Sequence, residues 1–390
     1  MISHQDINRR TFLRVGGLSL AVGAAVACAP AAAPAPSGGG ATAPATGGGA
    51  KADWERQWDD VLAGAKKECK LVLVTNSGAE YRKVADAFMA KFPEITVEQV
   101  GLVASQFVPR LLQERKAGAY NFDVLMSSTT TPLINLRPEG AIDPVRPLIF
   151  RADVLDDKLW SGGFEAGFLD NDKKWMYACC TSRNRVVWIN TDQVQPGEVT
   201  KVQDLLNPKL KGRILSGDVR SYGGGAWPAT VTRLGLGDDI IKRLWKDQEA
   251  VLGRDPRQMT ELMVKGQYAV GYGALSDNIL PDFQKQGLGK SLKYAPMENV
   301  DYLSSAQNNV FQVNRAPNPN AAKLFINWIL TKEGQTLWAP AASANSRRTD
   351  MPPSTPETMP DPGRKYITID TEAILPEVEK TYAIARQVLT

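Results

Sequence analysis

Between residues 71 and 129 the chain alternates short apolar runs with helical segments, and each run breaks off into small polar residues. The run 71–74 stops at Thr75, Asn76, Ser77 and Gly78, and a helix follows with Val84, Ala85, Phe88 and Met89 inward before Phe92 and Pro93. Residues 95–100 read as the next strand, Phe107, Leu111 and Leu112 mark another helix, and 122–126 is a strand ending in Ser127, Ser128 and Thr129. This alternation predicts a parallel sheet with helical crossovers. The pattern returns later with strands over 186–189, 212–215 and 268–272, separated by helices such as 240–245. A late strand over 309–313 precedes a helix over 321–330 that packs Leu324, Phe325, Trp328 and Ile329. Two α/β lobes are therefore expected. Open sheets of this kind bind ligands beyond the carboxyl ends of their strands. That singles out Thr75, Asn76 and Ser77, then Ser127, Ser128 and Thr129, and the loop from Ser221 to Gly225.

The first residues read as an address. Arg9, Arg10, Phe12 and Leu13 precede a weakly apolar stretch over 15–27 that ends in Ala25, Val26 and Ala27 before Cys28. Basic region, short core and Ala-x-Ala make an export signal, too short to span a bilayer as a stable anchor. Twin arginines followed by Phe-Leu resemble a Tat signal, with an ordinary Sec signal as the alternative. Cys28 stands where a bacterial lipoprotein receives its diacylglycerol, although Ala25 replaces the usual Leu of the lipobox; cleavage at Ala-x-Ala alone would leave a thiol at the same bond. Residues 29–52 are Ala, Pro, Gly, Ser and Thr with two Gly-Gly-Gly runs, a composition with nothing to bury. As a flexible spacer they reach roughly 25 to 30 Å. Residues 1–27 are thus an export signal and 28–52 a lipid-anchor cysteine with its tether, and an exported, periplasmic or cell-surface, membrane-tethered protein is expected.

Residues 53–390 remain for the body, enough for two ordinary domains. Asp53 is the expected cap of a helix with Trp54, Trp58, Val61, Leu62 and Ala65 on one face, and the proline-rich stretch 351–362 is an extended surface connection. The single histidine, His4, falls in the export segment. A body without imidazole excludes Ser-His and Cys-His nucleophile pairs, histidine general bases and His-ligated zinc. Removal of residues 1–27 leaves 43 basic against 41 acidic residues, too balanced for a nucleic-acid partner or for steering by net charge. Cys69, Cys179 and Cys180 permit one disulfide or three buried thiols.

Several segments carry a resemblance when taken in order: 71–78, 122–129, and Thr181-Ser182-Arg183-Asn184-Arg185-Val186-Val187-Trp188-Ile189-Asn190-Thr191. Then come Asp204-Leu205-Leu206-Asn207-Pro208-Lys209-Leu210-Lys211-Gly212-Arg213-Ile214, the segment 218–225, and Ala316-Pro317-Asn318-Pro319-Asn320-Ala321-Ala322-Lys323-Leu324-Phe325. From about Lys70 onward the chain resembles the extracellular solute-binding proteins of ABC importers, of the iron, phosphonate, sulfonate, thiamine and polyamine type. The resemblance implies a two-lobed periplasmic-binding-protein fold of type II, α/β in both lobes, with a ligand cleft between lobes joined by a hinge. It places 53–185 plus 295–345 in lobe 1 and 186–294 plus 346–390 in lobe 2. It also implies a non-catalytic, monomeric receptor without a cofactor, delivering a small-molecule solute to a membrane permease that works with an ATPase.

The cleft chemistry points to an anion. Ser221, Tyr222, Gly223, Gly224 and Gly225 precede a helix over 226–234, and a glycine-rich helix start exposes backbone donors. Arg220 stands beside it, and Arg183 and Arg185 lie at the expected hinge strand, where a guanidinium grips a carboxylate or phosphonate with two bonds. Tyr272 and Trp227 are candidates for an apolar wall or a hydroxyl contact. The resemblance also raises a ferric alternative, since the iron branch commonly places adjacent tyrosines after the strand that here ends at Tyr272. Tyr272 has no tyrosine neighbour, and Ser276 and Asp277 stand near the place of such a pair, so an organic anion or oxyanion is the expected solute and no metal site is assigned. A cleft enzyme using Glu80, Asp123 or Asp277 is the alternative from another class, yet the chain has no Gly-x-Ser-x-Gly, Walker loop or dinucleotide fingerprint. A surface adhesin would need no polar strand ends in both lobes.

Overall fold

The computed structural model describes residues 51–389 apart from 196, 221–224, 277–278 and 307. The export segment, Cys28 and nearly all of the tether lie outside the described residues. The body starts with α1 (Asp53–Glu68), whose first turn is closed by Glu55, accepting from the Ala52 amide at 2.9 Å. Asp53 is not the cap; it is the first helical residue and pairs with Arg56.

The first sheet has β1 (Lys70–Thr75) at its centre, flanked in parallel by β2 (Thr96–Gly101) and β3 (Val124–Ser127). Beside β3 runs β13 (Asn309–Val313), antiparallel to it, and β4 (Ile142–Asp143) and β5 (Tyr177–Ala178) pair with β13. Leu71, Leu73, Val124, Met126 and Val310 pack on one face against Phe88 of α2 (Ala79–Lys91) and Phe325 and Trp328 of α6 (Pro319–Ile329). Val72, Val74, Leu125, Phe311 and Val313 pack on the other, against Phe107 and Leu111 of α3 (Ala104–Lys116). With both faces covered, β1 from Leu71 to Val74 and β3 from Val124 to Met126 are apolar runs with no alternation, whereas the edge strand β2 buries Val97 between exposed Thr96 and Glu98. A further helix, α7 (Lys332–Ala341), packs on α2, where Trp338 meets Tyr81.

The second sheet has the order β11 (Leu292–Tyr294), β7 (Val187–Asn190), β10 (Val270–Tyr272), β8 (Ile214–Gly217), β9 (Val251–Gly253). The strands β8, β9 and β10 are parallel, while β7 runs against both β10 and β11. Helices α4 (Ala226–Leu236) and α5 (Pro256–Val264) belong to this lobe, and the last helix, α8 (Leu375–Val388), packs on α4. The helix expected over 240–245 opens into a π-helical turn over Lys242–Asp247 that buries Trp245 edge-on against Tyr272.

Both sheets are mixed, where the helix and strand alternation predicts parallel ones. The reason is the connection between them. The segment through β5, β6 (Cys180–Asn184) and β7 crosses from the first sheet to the second, and β11, β12 (Tyr302–Ser304) and β13 cross back. Each lobe thereby receives a strand arriving from the other, in the reverse direction. The two crossings pair antiparallel with each other and form a third sheet with β14 (Asn345–Ser346) and β15 (Ile367–Thr368). At its start Cys179 and Cys180 are buried thiols with sulfurs 4.0 Å apart, about twice a disulfide bond length.

Asp123 is fully buried and has a structural task. Its carboxylate accepts from the Val72 amide (2.7 Å), the Asn318 amide (2.8 Å) and Asn318 Nδ2 (2.9 Å), so it ties β1 to the start of α6. Replacement by alanine strands two backbone donors. Asp123→Ala is expected to lower the unfolding free energy by about 3 kcal/mol; a urea midpoint unchanged from the parent would contradict this.

Candidate functional site

The parallel strands β8, β9 and β10 end side by side, β8 at Gly217, β9 at Gly253 and β10 just before Gly273, and their carboxyl ends floor a cavity of about 440 Å³. The strands close tightly here because these positions carry no side chain. A Cβ on Gly217 would stand 3.1 Å from the Gly273 carbonyl oxygen, and one on Gly225 only 2.3 Å from that of Asp218. Gly225, the end of the glycine run, is thus fixed by packing as well as by any ligand. It opens α4, an 11-residue helix whose first turn has no side-chain cap, so its amide donors and positive dipole end border the cavity. The neighbouring α5 is capped by Asp255, which accepts from Gln258 at 2.8 Å.

The charge of the cavity is organised around Asp218, buried on the floor. Arg220 donates to it through Nε at 2.9 Å and Nη2 at 3.2 Å, and Arg254 through Nε at 2.9 Å. Burial opposes ionisation of this carboxyl, yet hydrogen bonds from Arg220 and Arg254 hold it below the usual carboxylate range. Two guanidinium groups on one carboxylate leave a positive surplus. The guanidinium of Arg185 stands on the wall, over Trp188 at 4.9 Å. Asn184, Ser276 and Tyr302 supply the neutral polar lining, and Pro228, Met259, Ala274 and Leu275 the apolar part. The arrangement suits a small anion with an apolar body: charge opposite the arginines, backbone donors at the helix start, apolar contact on the remaining wall.

Of the residues singled out from sequence, Arg185 lies in this cavity and Arg220 on its buried carboxylate. Ser221, Tyr222, Gly223 and Gly224 lie outside the described residues, as does Asp277. Thr75, Asn76, Ser77, Ser127, Ser128 and Thr129 come together at the carboxyl ends of the neighbouring strands β1 and β3, apart from the 440 Å³ cavity lining. Thr75 accepts from Gln99 at 2.8 Å and Ser77 donates to the Gly101 carbonyl at 2.8 Å. Thr129 Oγ1 is buried with no hydrogen-bond partner among the described residues.

Two expectations are corrected. Arg183 belongs to the opposite face of its strand, because side chains alternate along β6. Asn184 pairs with Tyr302 and lines the cavity, whereas Arg183 pairs with Leu303 and donates to the Glu357 carbonyl at 3.0 Å. Tyr272 is core: its hydroxyl donates to the Pro228 carbonyl at 3.1 Å and meets Thr232 Oγ1 at 2.5 Å, and burial pushes its pKa up. Asn184, Asp218, Arg254, Ser276 and Tyr302 were not singled out by the sequence. For Asn184 and Tyr302 the missing signal is strand parity. For Arg254 it is the strand itself, since β9 is a three-residue edge strand with an exposed first residue.

A family model described as bacterial extracellular solute-binding protein matches residues 73–336. No curated protein matches. Among solved structures, an ABC transporter protein from Clostridium perfringens is 15% identical with a TM-score of 0.65, over 82% of this chain and all of that one. The ferric iron-binding protein A of Mannheimia haemolytica, in an open conformation, is 14% identical with a TM-score of 0.63, over 82% of this chain and 98% of that one. The Trichodesmium protein IdiA (FutA), in complex with iron and citrate, is 16% identical with a TM-score of 0.62, over 82% and 99%. At these identities the likeness is one of fold, a two-lobed binding protein.

The depressed pKa of Asp218 has a definite sign. Its ionised form contributes stability that is complete above the unfolded carboxyl value, about 3.9, and is lost as pH falls through the lower folded value. Asp218→Asn is expected to be less stable at neutral pH and to lose less stability between pH 4 and pH 2 than the parent. Parallel acid limbs in thermal melts of the two proteins would refute the assignment.

Proposed function

The chain belongs to the bacterial extracellular solute-binding proteins, and from that premise we propose that it captures a small organic anion or oxyanion at Arg185 and Arg254 and hands it to the permease of an ABC importer. The carrying observation is the positive surplus around Asp218, set at the uncapped start of α4. Energy for transport comes from the importer's separate ATPase, and the chain itself is a binding component with no catalytic role. Thr75 to Ser77 and Ser127 to Thr129 serve in this reading as the facing surface of the first lobe, which reaches the solute when the lobes close. Closure follows from capture, because only the closed form lets both lobes touch the solute. The export signal, Cys28 and the spacer make the protein a lipid-tethered receptor that acts as a monomer.

A ferric-ion receptor is the second reading, favoured by the likeness of fold to proteins that bind ferric iron. The cavity chemistry argues for the anion. Asp218, the one carboxylate of its lining among the described residues, is engaged by two arginines, and no group of three or more His, Cys, Asp or Glu among the described residues is placed to hold a metal. A trivalent cation also meets like charge at Arg185 and Arg254.

Native mass spectrometry of freshly purified protein, followed by a thermal-shift screen of carboxylates, phosphonates, sulfonates, amines and ferric ion, decides between the two. A retained or stabilising anion is expected, and a bound metal without an organic ligand would reverse the ranking. For the anion that emerges, Arg254→Ala should weaken binding by about 2 kcal/mol, roughly thirtyfold, while Arg183→Ala should change it less than about twofold; calorimetry showing the reverse order would overturn the site. X-ray scattering should show compaction on saturation, and an unchanged radius of gyration would eliminate the closure.

A further inference from the structure

A second, smaller cavity of about 210 Å³ lies against the other face of the hinge sheet. The parity that aims Asn184 and Tyr302 at the larger cavity aims their neighbours here. Thr181 of β6 and Leu303 of β12 line it together with Thr368 of β15, Ser305 and Ser161. Its one charged lining residue among the described residues is Arg347, only 7% exposed. The guanidinium donates to three backbone carbonyls, those of Ala178 (3.2 Å), Ser161 (2.7 Å) and Gly163 (2.9 Å). Among the described residues no carboxylate lies within 4 Å of it, although its neighbour Arg348, equally buried, is paired with Asp350. The guanidinium is met by these carbonyl dipoles and by the rings of Trp160 and Tyr177, whose centroids lie 5.9 and 5.8 Å from it, and so retains its full charge in a medium that screens it poorly. Beside that charge the cavity offers the hydroxyls of Ser161, Thr181 and Thr368 and the apolar surfaces of Leu169, Leu303 and Pro360, while the Ser305 hydroxyl is taken up by the buried Asp370 carboxylate, to which it donates.

We propose that this cavity is a second binding site, taking a small organic monocarboxylate whose charge answers Arg347. Its volume falls below the roughly 300 Å³ at which pockets for drug-sized ligands begin, so the ligand has a short body. The apolar wall favours that body over a bare inorganic ion, and the single cation favours one negative charge over two. Four of the lining positions, Cys180, Thr181, Leu303 and Thr368, belong to strands of the hinge sheet, so an occupant braces both crossings at once. The site is independent of the solute that the larger cavity takes.

The test is a titration of the full chain with sodium butyrate against sodium chloride at constant ionic strength, read by thermal melting and calorimetry. Butyrate is expected to bind saturably and raise the melting temperature by a few °C, with chloride giving no saturable change. Arg347→Met should abolish the response, but it also strips three carbonyls of their donor and risks the fold. Ala166→Phe, at the exposed mouth, blocks entry and leaves those hydrogen bonds intact, so its unliganded melting temperature should match the parent while the butyrate response disappears. Arg254→Ala, in the larger cavity, should retain the response. The proposal is overturned by a non-saturable titration, by an equal response to chloride, by a response that survives Ala166→Phe, or by one that Arg254→Ala removes.

Discussion

The antiparallel pairing of β6 with β12 sets Asn184 opposite Tyr302, Arg183 opposite Leu303 and Ser182 opposite Ser304, and nearly every functional feature of the body follows from that register. A slip of one residue would turn each side chain to the other face. Asn184 and Tyr302 would leave the larger cavity, Arg183 would enter it, and Thr181 and Leu303 would desert the smaller one. Further contacts hold the register from both ends. Buried Asp301 accepts from the Val186 amide at 3.2 Å and from the Tyr294 hydroxyl, joining the two crossings where they enter the second sheet. Asp370 accepts from the Ser305 amide at 2.9 Å where they leave for the first, which binds the C-terminal segment to the returning strand. The hinge is therefore a four-stranded sheet with a defined front and back.

Electrostatics divides the arginines by task. Arg233 spans α4 and α8 through Asp238 and Glu377, and Arg348 is satisfied by Asp350 and the Leu330 carbonyl. These are neutralised and structural. Around Asp218 the count is uneven by design of the local chain: a carboxylate at the end of β8 accepts from an arginine two residues on and from another at the end of β9. Asp218 thereby orients two guanidinium groups toward the strand ends while cancelling only one of their charges, so among the described residues the floor combines fixed geometry with a positive surplus.

Much of the architecture was legible in the sequence because strands such as β1 and β7 are buried on both faces and read as plain apolar runs. The runs 71–74, 95–100, 186–189 and 309–313 coincide with β1, β2, β7 and β13 within a residue or two. What escaped was short, exposed or set by partners far along the chain. The edge strand β9, with a single exposed valine at its start, gives no periodic signal, and Arg254 was lost with it. The choice between Arg183 and Asn184 depends on pairing with residues more than a hundred positions away, which no local pattern encodes. Tyr272 looked like a wall residue because it ends a strand, yet the π-helical turn that brings Trp245 beneath it makes it core. The glycine run was read as a ligand loop, and Gly225 shows that close approach to the Asp218 carbonyl demands glycine there in any case.

The place where α1 begins has a mechanical consequence. Its apolar face packs on α6 and the first sheet, so Lys51, the first of the described residues, belongs to the first lobe. A force applied at that point loads one leaf of the hinge alone. Among the described residues, the leaf that carries Asp218, Arg254 and the larger cavity is joined to it through the two crossings and the C-terminal segment. Tension applied at Lys51 is then borne by the lobe that does not hold the charged floor, and the swing of the other is left to thermal motion.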